Sequence, residues 1–335
     1  MPQTRWAILG PGAISRDFVI GLRSSGHGVL HAVGSSSAQR AAAFAAEHGA
    51  EASGTYDDIL ARDDVDAVYI GTVHTTHADL AIRALEAGKA VLCEKPASPT
   101  ADEVDLILDA AARTGRPFVE AFKTRFGPFA ESLRTILESG ELGAPERVEA
   151  AFGFAAGSRT GRLFDPALAG GAILDVGCYP VSLAVDVSRA GGMLGTGDTV
   201  ASQVALLSAS GDIVEGIDEH ARAEFTFGGV VAALETSIVR KLPPSAVIRC
   251  ERGTIELPDA WGGRAESATA MIVRPDGSPD RKVTVPSVQP MTAEADAVSL
   301  ALADGRLEAP EIPWADSRAI AAALTAWRGA VLASA

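Results

Sequence analysis

The chain has 335 residues, 47% of them hydrophobic and 21% charged, a globular composition long enough for two buried cores. Its formal net charge of −14 argues against nucleic acid and against anionic membrane surfaces, since both select basic patches. Cys93, Cys178 and Cys250 have neither pairing arithmetic nor metal-site spacing, no basic and apolar leader precedes the first strand, and no apolar run reads as long enough to cross a membrane. A cytoplasmic protein without a metal is expected.

Strand-type Arg5 to Leu9 runs into Gly10-Pro11-Gly12-Ala13-Ile14-Ser15, and a helical pattern follows through Leu22. Val29 to Val33 is a second strand, stopped by Gly34-Ser35-Ser36-Ser37, and an alanine-rich helix covers Ala38 to His48. Asp66 to Ile70, Val91 to Cys93 and Phe118 to Ala121 read as further strands, with helices over Asp79 to Ala87 and Ala101 to Thr114 between them. This alternation predicts βαβ units and a parallel sheet. After Lys123 the character changes. A helix (Phe129 to Ser139) and a strand (Val148 to Phe154) lead into strand-type stretches at His220 to Phe227, Val230 to Val239, Ala246 to Cys250, Thr254 to Leu257 and Ala270 to Val273. Gly-Gly, Pro-Pro and Asp-Gly turn signals separate them, as in an antiparallel sheet. Helices over Ala293 to Asp304 and Asp316 to Leu332 close the chain. The expected fold class is α/β. A Rossmann, doubly wound parallel sheet occupies residues 1–122, and a C-terminal α+β domain on an open, mainly antiparallel sheet occupies 123–335.

Gly10-x-Gly12 between a strand and a helix suits a phosphate, because exposed N–H groups and the helix dipole favour anions there. Ser15 replaces the third glycine of the full fingerprint. Gly10, Gly12, Ala13 and Ile14 are the candidate contacts. The nucleotide is chosen after the second strand, where NAD sites usually place an acid and NADP sites a base. The loop from Gly34 to Arg40 has no carboxylate, and Ser35, Ser36 and Arg40 suit a phosphate. NADP is expected ahead of NAD. The plainer reading has Ser37 capping the helix and Arg40 solvated on it.

The apolar run Ala90 to Cys93 ends in Glu94-Lys95-Pro96. Ligands of open α/β sheets bind outside the carboxyl ends of the strands, so Lys95 is a catalytic candidate and Glu94 its neighbour or a ribose contact. Thr72 and His74, after the third strand, are expected on the nicotinamide side; His77 reads as a helix start. A helix through Gly170-Gly171-Ala172-Ile173-Leu174-Asp175-Val176-Gly177-Cys178-Tyr179 would set Asp175 and Tyr179 on one face. Removing a hydroxyl proton during hydride transfer needs a base. A tyrosine, with an ordinary pKa of about 10, serves when a nearby ammonium such as Lys95 favours the phenolate. Alone, each of these residues is as readily a packed tyrosine or a surface ion.

Together these segments resemble the glucose–fructose oxidoreductase/inositol dehydrogenase (Gfo/Idh/MocA) family over nearly the whole chain. The carriers are Gly10-x-Gly12, Thr72-Val73-His74, Glu94-Lys95-Pro96, Glu120-Ala121-Phe122, Gly170-Gly171 through Asp175 to Tyr179, and Gly305 to Pro310. Tyr179 with Asp175 is similar to the branch holding dimeric dihydrodiol dehydrogenases and D-xylose 1-dehydrogenases. The resemblance implies NADP(H), a sugar, polyol or trans-diol substrate, Lys95 and Tyr179 as the catalytic pair, and an open sheet used for a homodimer or dimer of dimers. Two positions depart from the branch: Lys123 stands where a tryptophan is usual, and Ser36 where a basic residue often follows the second strand's serine.

The expected function is an NADP-preferring dehydrogenase or reductase acting on CH–OH groups, with Arg125, Arg159 and Arg162 orienting substrate and Asp175 beside the catalytic pair. Two alternatives share the fold: an enzyme that retains its nucleotide and uses transient oxidation for elimination or glycoside cleavage, and a nucleotide-sensing protein without catalysis.

Overall fold

In the computed structural model, which describes residues 3–262, 269–286 and 288–334, the apolar run Thr4–Leu9 forms β1 of a six-stranded parallel sheet. The elements alternate as expected: α1 (Ala13–Arg23), β2 (Gly28–Gly34), α2 (Ala38–His48), β3 (Ala52–Gly54), α3 (Tyr56–Leu60), β4 (Ala67–Ile70), α4 (His77–Glu86), β5 (Ala90–Glu94), α5 (Ala101–Thr114) and β6 (Phe118–Ala121). The strand order is β3-β2-β1-β4-β5-β6, the doubly wound arrangement whose order reverses beside β1. β4, β5 and β6 are buried throughout, as in a parallel sheet covered on both faces. The edge strand β3 and the short α3 were not among the expected elements; three residues ending in glycine carry no apolar period.

The second stretch holds α6 (Pro128–Glu138), β7 (Pro145–Gly153), a π-helical turn (Ile173–Gly177) and α7 (Cys178–Ala190). β8 (Val204–Val214), β9 (Ile217–Phe227), β10 (Val230–Ser237), β11 (Ala246–Cys250), β12 (Gly253–Leu257), β13 (Thr269–Pro275) and β14 (Arg281–Val285) follow. They pair in the order β14-β13-β12-β11-β7-β10-β9-β8, antiparallel except between β7 and β10. Burial alternates along β10 and β12, so one face of this sheet is covered and the other is half-exposed.

The two closing helices, α8 (Pro290–Asp304) and α9 (Trp314–Ala333), part company. One compact unit runs through Ser98 and takes in Asp102–Lys123 and Gln289–Trp314; the other holds Pro99–Ala101, Thr124–Val288 and the chain from Ala315. The single cut expected at 122/123 therefore misses the return of α8, which packs on α1. Thr292 donates its hydroxyl to the Gly21 carbonyl at 2.8 Å, Trp6 Nε1 donates to Ser299 Oγ at 3.3 Å, and a Cβ on Gly21 would lie 2.8 Å from that of Met291. α9 stays with the larger sheet, where Trp327 meets Phe225 edge-on at 6.2 Å. One further correction concerns Pro166–Ala190, which is long and apolar enough to span a membrane (mean hydropathy 1.6), contrary to the sequence reading. Its apolar window is 89% buried inside the protein, as befits a core helix.

Candidate active site

The nucleotide end is built by β1 and α1. Gly10 has φ +94°, and a Cβ there would come within 2.6 Å of the Thr72 methyl, so glycine is required by both conformation and space. A Cβ on Gly12 would meet nothing nearer than the Gly71 carbonyl at 4.0 Å, leaving that backbone open to approach. Gly12 caps α1 with no side-chain hydrogen bond, and the first turn of α1 carries no acidic residue. Those free N–H groups at a helix start fit a pyrophosphate, with Ala13 exposed and Ile14 half-buried beside them. Ser15, in place of the third glycine, is fully buried and donates its hydroxyl to the Gly10 carbonyl at 2.7 Å, closing the turn from within.

After β2, Ser35 is buried and its hydroxyl accepts the Ser37 N–H at 3.2 Å. Ser37 caps α2, as the plainer reading had it. The structure adds a pairing: Arg40 Nη2 donates to Ser36 Oγ at 2.9 Å, setting a guanidinium and a hydroxyl side by side on an exposed helix start. A ribose phosphate would find two donors there.

Glu94 is the last residue of β5, and Lys95, half-buried, follows it at the strand's carboxyl end. The Glu94 carboxylate is committed on both oxygens: Oε1 accepts from the Tyr69 hydroxyl at 2.8 Å and Oε2 from the Lys95 N–H at 3.3 Å. Burial first, and Glu94 second, push the Tyr69 phenol well up, so Tyr69 holds its proton for this bond. Tyr69 stacks on Phe18 of α1 with centroids 4.0 Å apart, tying the phosphate helix to the Lys95 strand end. On the far side, the Ala97 N–H donates to Glu120 Oε1 at 2.8 Å. The Lys95–Pro96 peptide is cis. Thr72 accepts from the Thr76 hydroxyl at 2.8 Å, and His74 is buried against His77 with rings 5.8 Å apart. His77 begins α4, as expected, and contacts two backbone carbonyls, those of Pro96 and Thr72.

In the other unit, Asp175 lies in the π-helical turn, an i→i+5 feature frequent at functional sites, which runs directly into α7 with Tyr179 at its second position. Both side chains are nearly buried. Asp175 Oδ1 accepts from Arg162 Nη2 at 2.7 Å, so these two expected site residues do meet. Tyr179 packs in an aromatic group, edge-on to Phe152 at 5.5 Å and tilted to Trp261 at 6.3 Å. Arg159 pairs with Glu219 and lies over the Phe164 ring at 5.5 Å.

Arg125 stands elsewhere. Its guanidinium is 2% exposed and pairs with Asp316 and, at 3.2 Å, with Asp186, while Nη1 donates to the Ser182 carbonyl at 3.2 Å. Arg134 and Arg189 complete this buried cluster. Its charge is committed to the core of the unit, and a substrate-orienting role for it has no support there. Sequence reasoning missed Asp218 altogether. Its Oδ2 accepts the Ile173 N–H at 2.7 Å, holding the start of the π turn, and a Cβ on Gly171 (φ +121°) would collide with its carboxylate. Gly171 thus admits this side chain of β9, while a Cβ on Gly170 would instead lie 2.6 Å from the Arg162 and Leu163 carbonyl oxygens. Burial pushes the Asp218 carboxyl up to about 6, against the backbone N–H groups that favour its charge.

Residues 4–122 match the family described as an oxidoreductase family with an NAD-binding Rossmann fold, and residues 130–256 match the Gfo/Idh/MocA C-terminal domain. Trans-1,2-dihydrobenzene-1,2-diol dehydrogenase of Xenopus tropicalis is 31% identical over 95% of both chains. That of Bos taurus is 33% identical over 98% of this chain and 96% of its own. A 3-ketoreductase from Actinomadura kijaniata, solved with NADP and TDP-benzene, superposes with a TM-score of 0.85 at 22% identity over 98% of each chain. An aldose–aldose oxidoreductase from Caulobacter crescentus, solved with glycerol, gives 0.84 at 22% identity over 100% of this chain and 99% of its own. At those identities the two structures speak to the fold.

Proposed function

The chain belongs to the Gfo/Idh/MocA oxidoreductase family, and on that premise we propose that it is an NADP-preferring dehydrogenase or reductase of sugars, polyols or trans-diols. What carries the reading is the Lys95 segment: a lysine at the carboxyl end of a buried parallel strand, its backbone held through Glu94 and Glu120. A bound nicotinamide supplies or takes the hydride. Lys95 and Tyr179, the pair the family resemblance implies, are assigned to the proton of the reacting hydroxyl. Asp175 holds Arg162, whose remaining donors are assigned to substrate oxygens. The substrate class rests on the full-length likeness to diol dehydrogenases, and the phosphate preference on the Ser36–Arg40 pair.

A homodimer through the half-exposed face of the larger sheet belongs to the same proposal. That face carries Arg147 paired with Glu224 at 2.9 Å and Arg249 with Glu149 at 3.1 Å, and a 650 Å³ cleft beside Ala151, Ala223 and Ala233. Light scattering that returns the mass of one chain would end it.

Turnover is tested by following nicotinamide absorbance with NADP or NAD and a panel of aldoses, polyols and trans-diols. NADP with one substrate class is expected to react, and Lys95→Met or Tyr179→Phe to lower kcat by roughly 10²–10⁴-fold, the usual loss of a proton-transfer group. Full activity in either variant overturns the assignment.

A further inference from the structure

His77 is 0% exposed and opens α4 directly below the loop that follows β4. Its two ring nitrogens face two main-chain acceptors from different loops. Nδ1 lies 2.9 Å from the Pro96 carbonyl, one residue beyond Lys95, and Nε2 lies 3.2 Å from the Thr72 carbonyl. A neutral imidazole carries one N–H, and the shorter contact assigns it to Nδ1 donating to Pro96. Burial lowers the tendency of this ring to take a second proton, and Lys95 lowers it further, while Glu94 and the two carbonyls act the other way.

The Glu94–Ala97 segment is held from its other sides by bonds within the sheet: Tyr69 through Glu94 from β4, and Glu120 from β6. With its one N–H on the Pro96 carbonyl, His77 ties the Lys95–Pro96 backbone to the start of α4, the helix that follows the Thr72 loop in the chain. We propose that His77 is a positioning residue, an imidazole staple that holds the Lys95 loop on the start of α4 and thereby sets where the Lys95 ammonium is presented. This rests on the catalytic reading of Lys95 for its consequence in turnover, and on geometry alone for its effect on Lys95. A misplacement near 1 Å remote from the chemistry can cost on the order of 10²-fold in rate, so a staple of this kind is worth more to kcat than to folding.

The chain has five lysines (Lys89, Lys95, Lys123, Lys241 and Lys282), which makes Lys95 easy to follow. Reductive methylation with ¹³C-formaldehyde gives each a dimethylamine resonance, and the Lys95 signal is identified by its loss in Lys95→Arg. The measurement is made on nucleotide-free protein. His77→Leu keeps the volume and removes the donor to Pro96; His77→Asn keeps a donor near the Nδ1 position. The Lys95 resonance is expected to shift or split in the leucine variant and to stay near its place in the asparagine variant. In the untreated enzymes, kcat should fall roughly 10–100-fold in the leucine variant, with substrate KM changed less than threefold, and recover most of the way in the asparagine variant. A packing role would lower the melting temperature of the leucine variant while leaving the Lys95 resonance and kcat where they were, and that result overturns the proposal. Should His77→Leu not fold, His77→Gln decides, because its longer amide reaches past the Pro96 carbonyl; an unmoved Lys95 signal there is equally fatal. If instead Lys95→Met keeps full turnover while the resonance still responds to His77, the staple stands and the catalytic reading of Lys95 falls.

Discussion

Replacing Asp218 by asparagine tests how the second unit holds its π-helical turn. In the folded protein this carboxyl is 1% exposed, and burial raises its pKa from 3.8 to about 6. Between about pH 4 and 6 the folded chain therefore holds a proton that the unfolded chain releases. With ν_N larger than ν_U, stability falls as pH rises: the group's favourable contribution is complete below about pH 4 and lost by the time pH passes 6. A rise of about two units at 1.36 kcal/mol each makes the loss about 3 kcal/mol. Asparagine cannot ionise, yet its carbonyl oxygen can still accept the Ile173 N–H now held at 2.7 Å.

Urea unfolding of both proteins at half-unit steps from pH 4 to 8 gives the difference directly, and carboxylates elsewhere cancel in it. The stability of the natural chain minus that of Asp218→Asn should decline by about 3 kcal/mol up to pH 6.5 and be level above 7. A flat difference would mean that the carboxyl titrates alike in both states. A rising one would mean that the backbone N–H groups outweigh burial, and the reasoning would be refuted.

Three other outcomes are expected. Gly171→Ala places a methyl against the Asp218 carboxylate at φ +121°; strain of this kind costs on the order of 1–3 kcal/mol, and thermal melting together with loss of Tyr179-dependent activity reads it. Arg40→Ala separates the guanidinium from Ser36 and should raise KM for NADP roughly tenfold, about 1.4 kcal/mol, while KM for NAD stays put; equal changes for both nucleotides would remove Arg40 from the phosphate site. Arg125→Met leaves Asp316 and Asp186 without one of their cations in a buried cluster, a loss of about 3–5 kcal/mol seen as a melting point lower by roughly 10 °C. A normal melting point with a raised substrate KM would return Arg125 to substrate binding.

What could be read from the chain depended on whether the signal was local. The alternation of β1 through β6 with helices is written into apolar runs of strand length, and Gly10, Gly12 and Lys95 sit where those runs end, so the nucleotide end was legible. β3 was not, because three residues at a sheet edge need no apolar period. The destination of α8 was not legible either: its pattern says that a face is buried and is silent on which sheet buries it, and the answer lies in Gly21 of a helix 271 residues away. The same distinction divides the site. Asp175 and Tyr179 were placed on one face by counting along a helix, although Asp175 stands in a π-helical turn, whereas Asp218 reaches the Ile173 N–H across 45 residues. His77 donates to a carbonyl oxygen, a group that every residue carries and no sequence pattern marks. Arg125 shows the reverse error: an arginine beside a resembling motif invited a substrate role, but residue type does not say which carboxylates a fold will bring to it. Gly10, Gly12 and Lys95 were thus singled out from sequence because they stand where strands end. The residues that hold them in place had to be seen, since their partners are backbone atoms and distant acids.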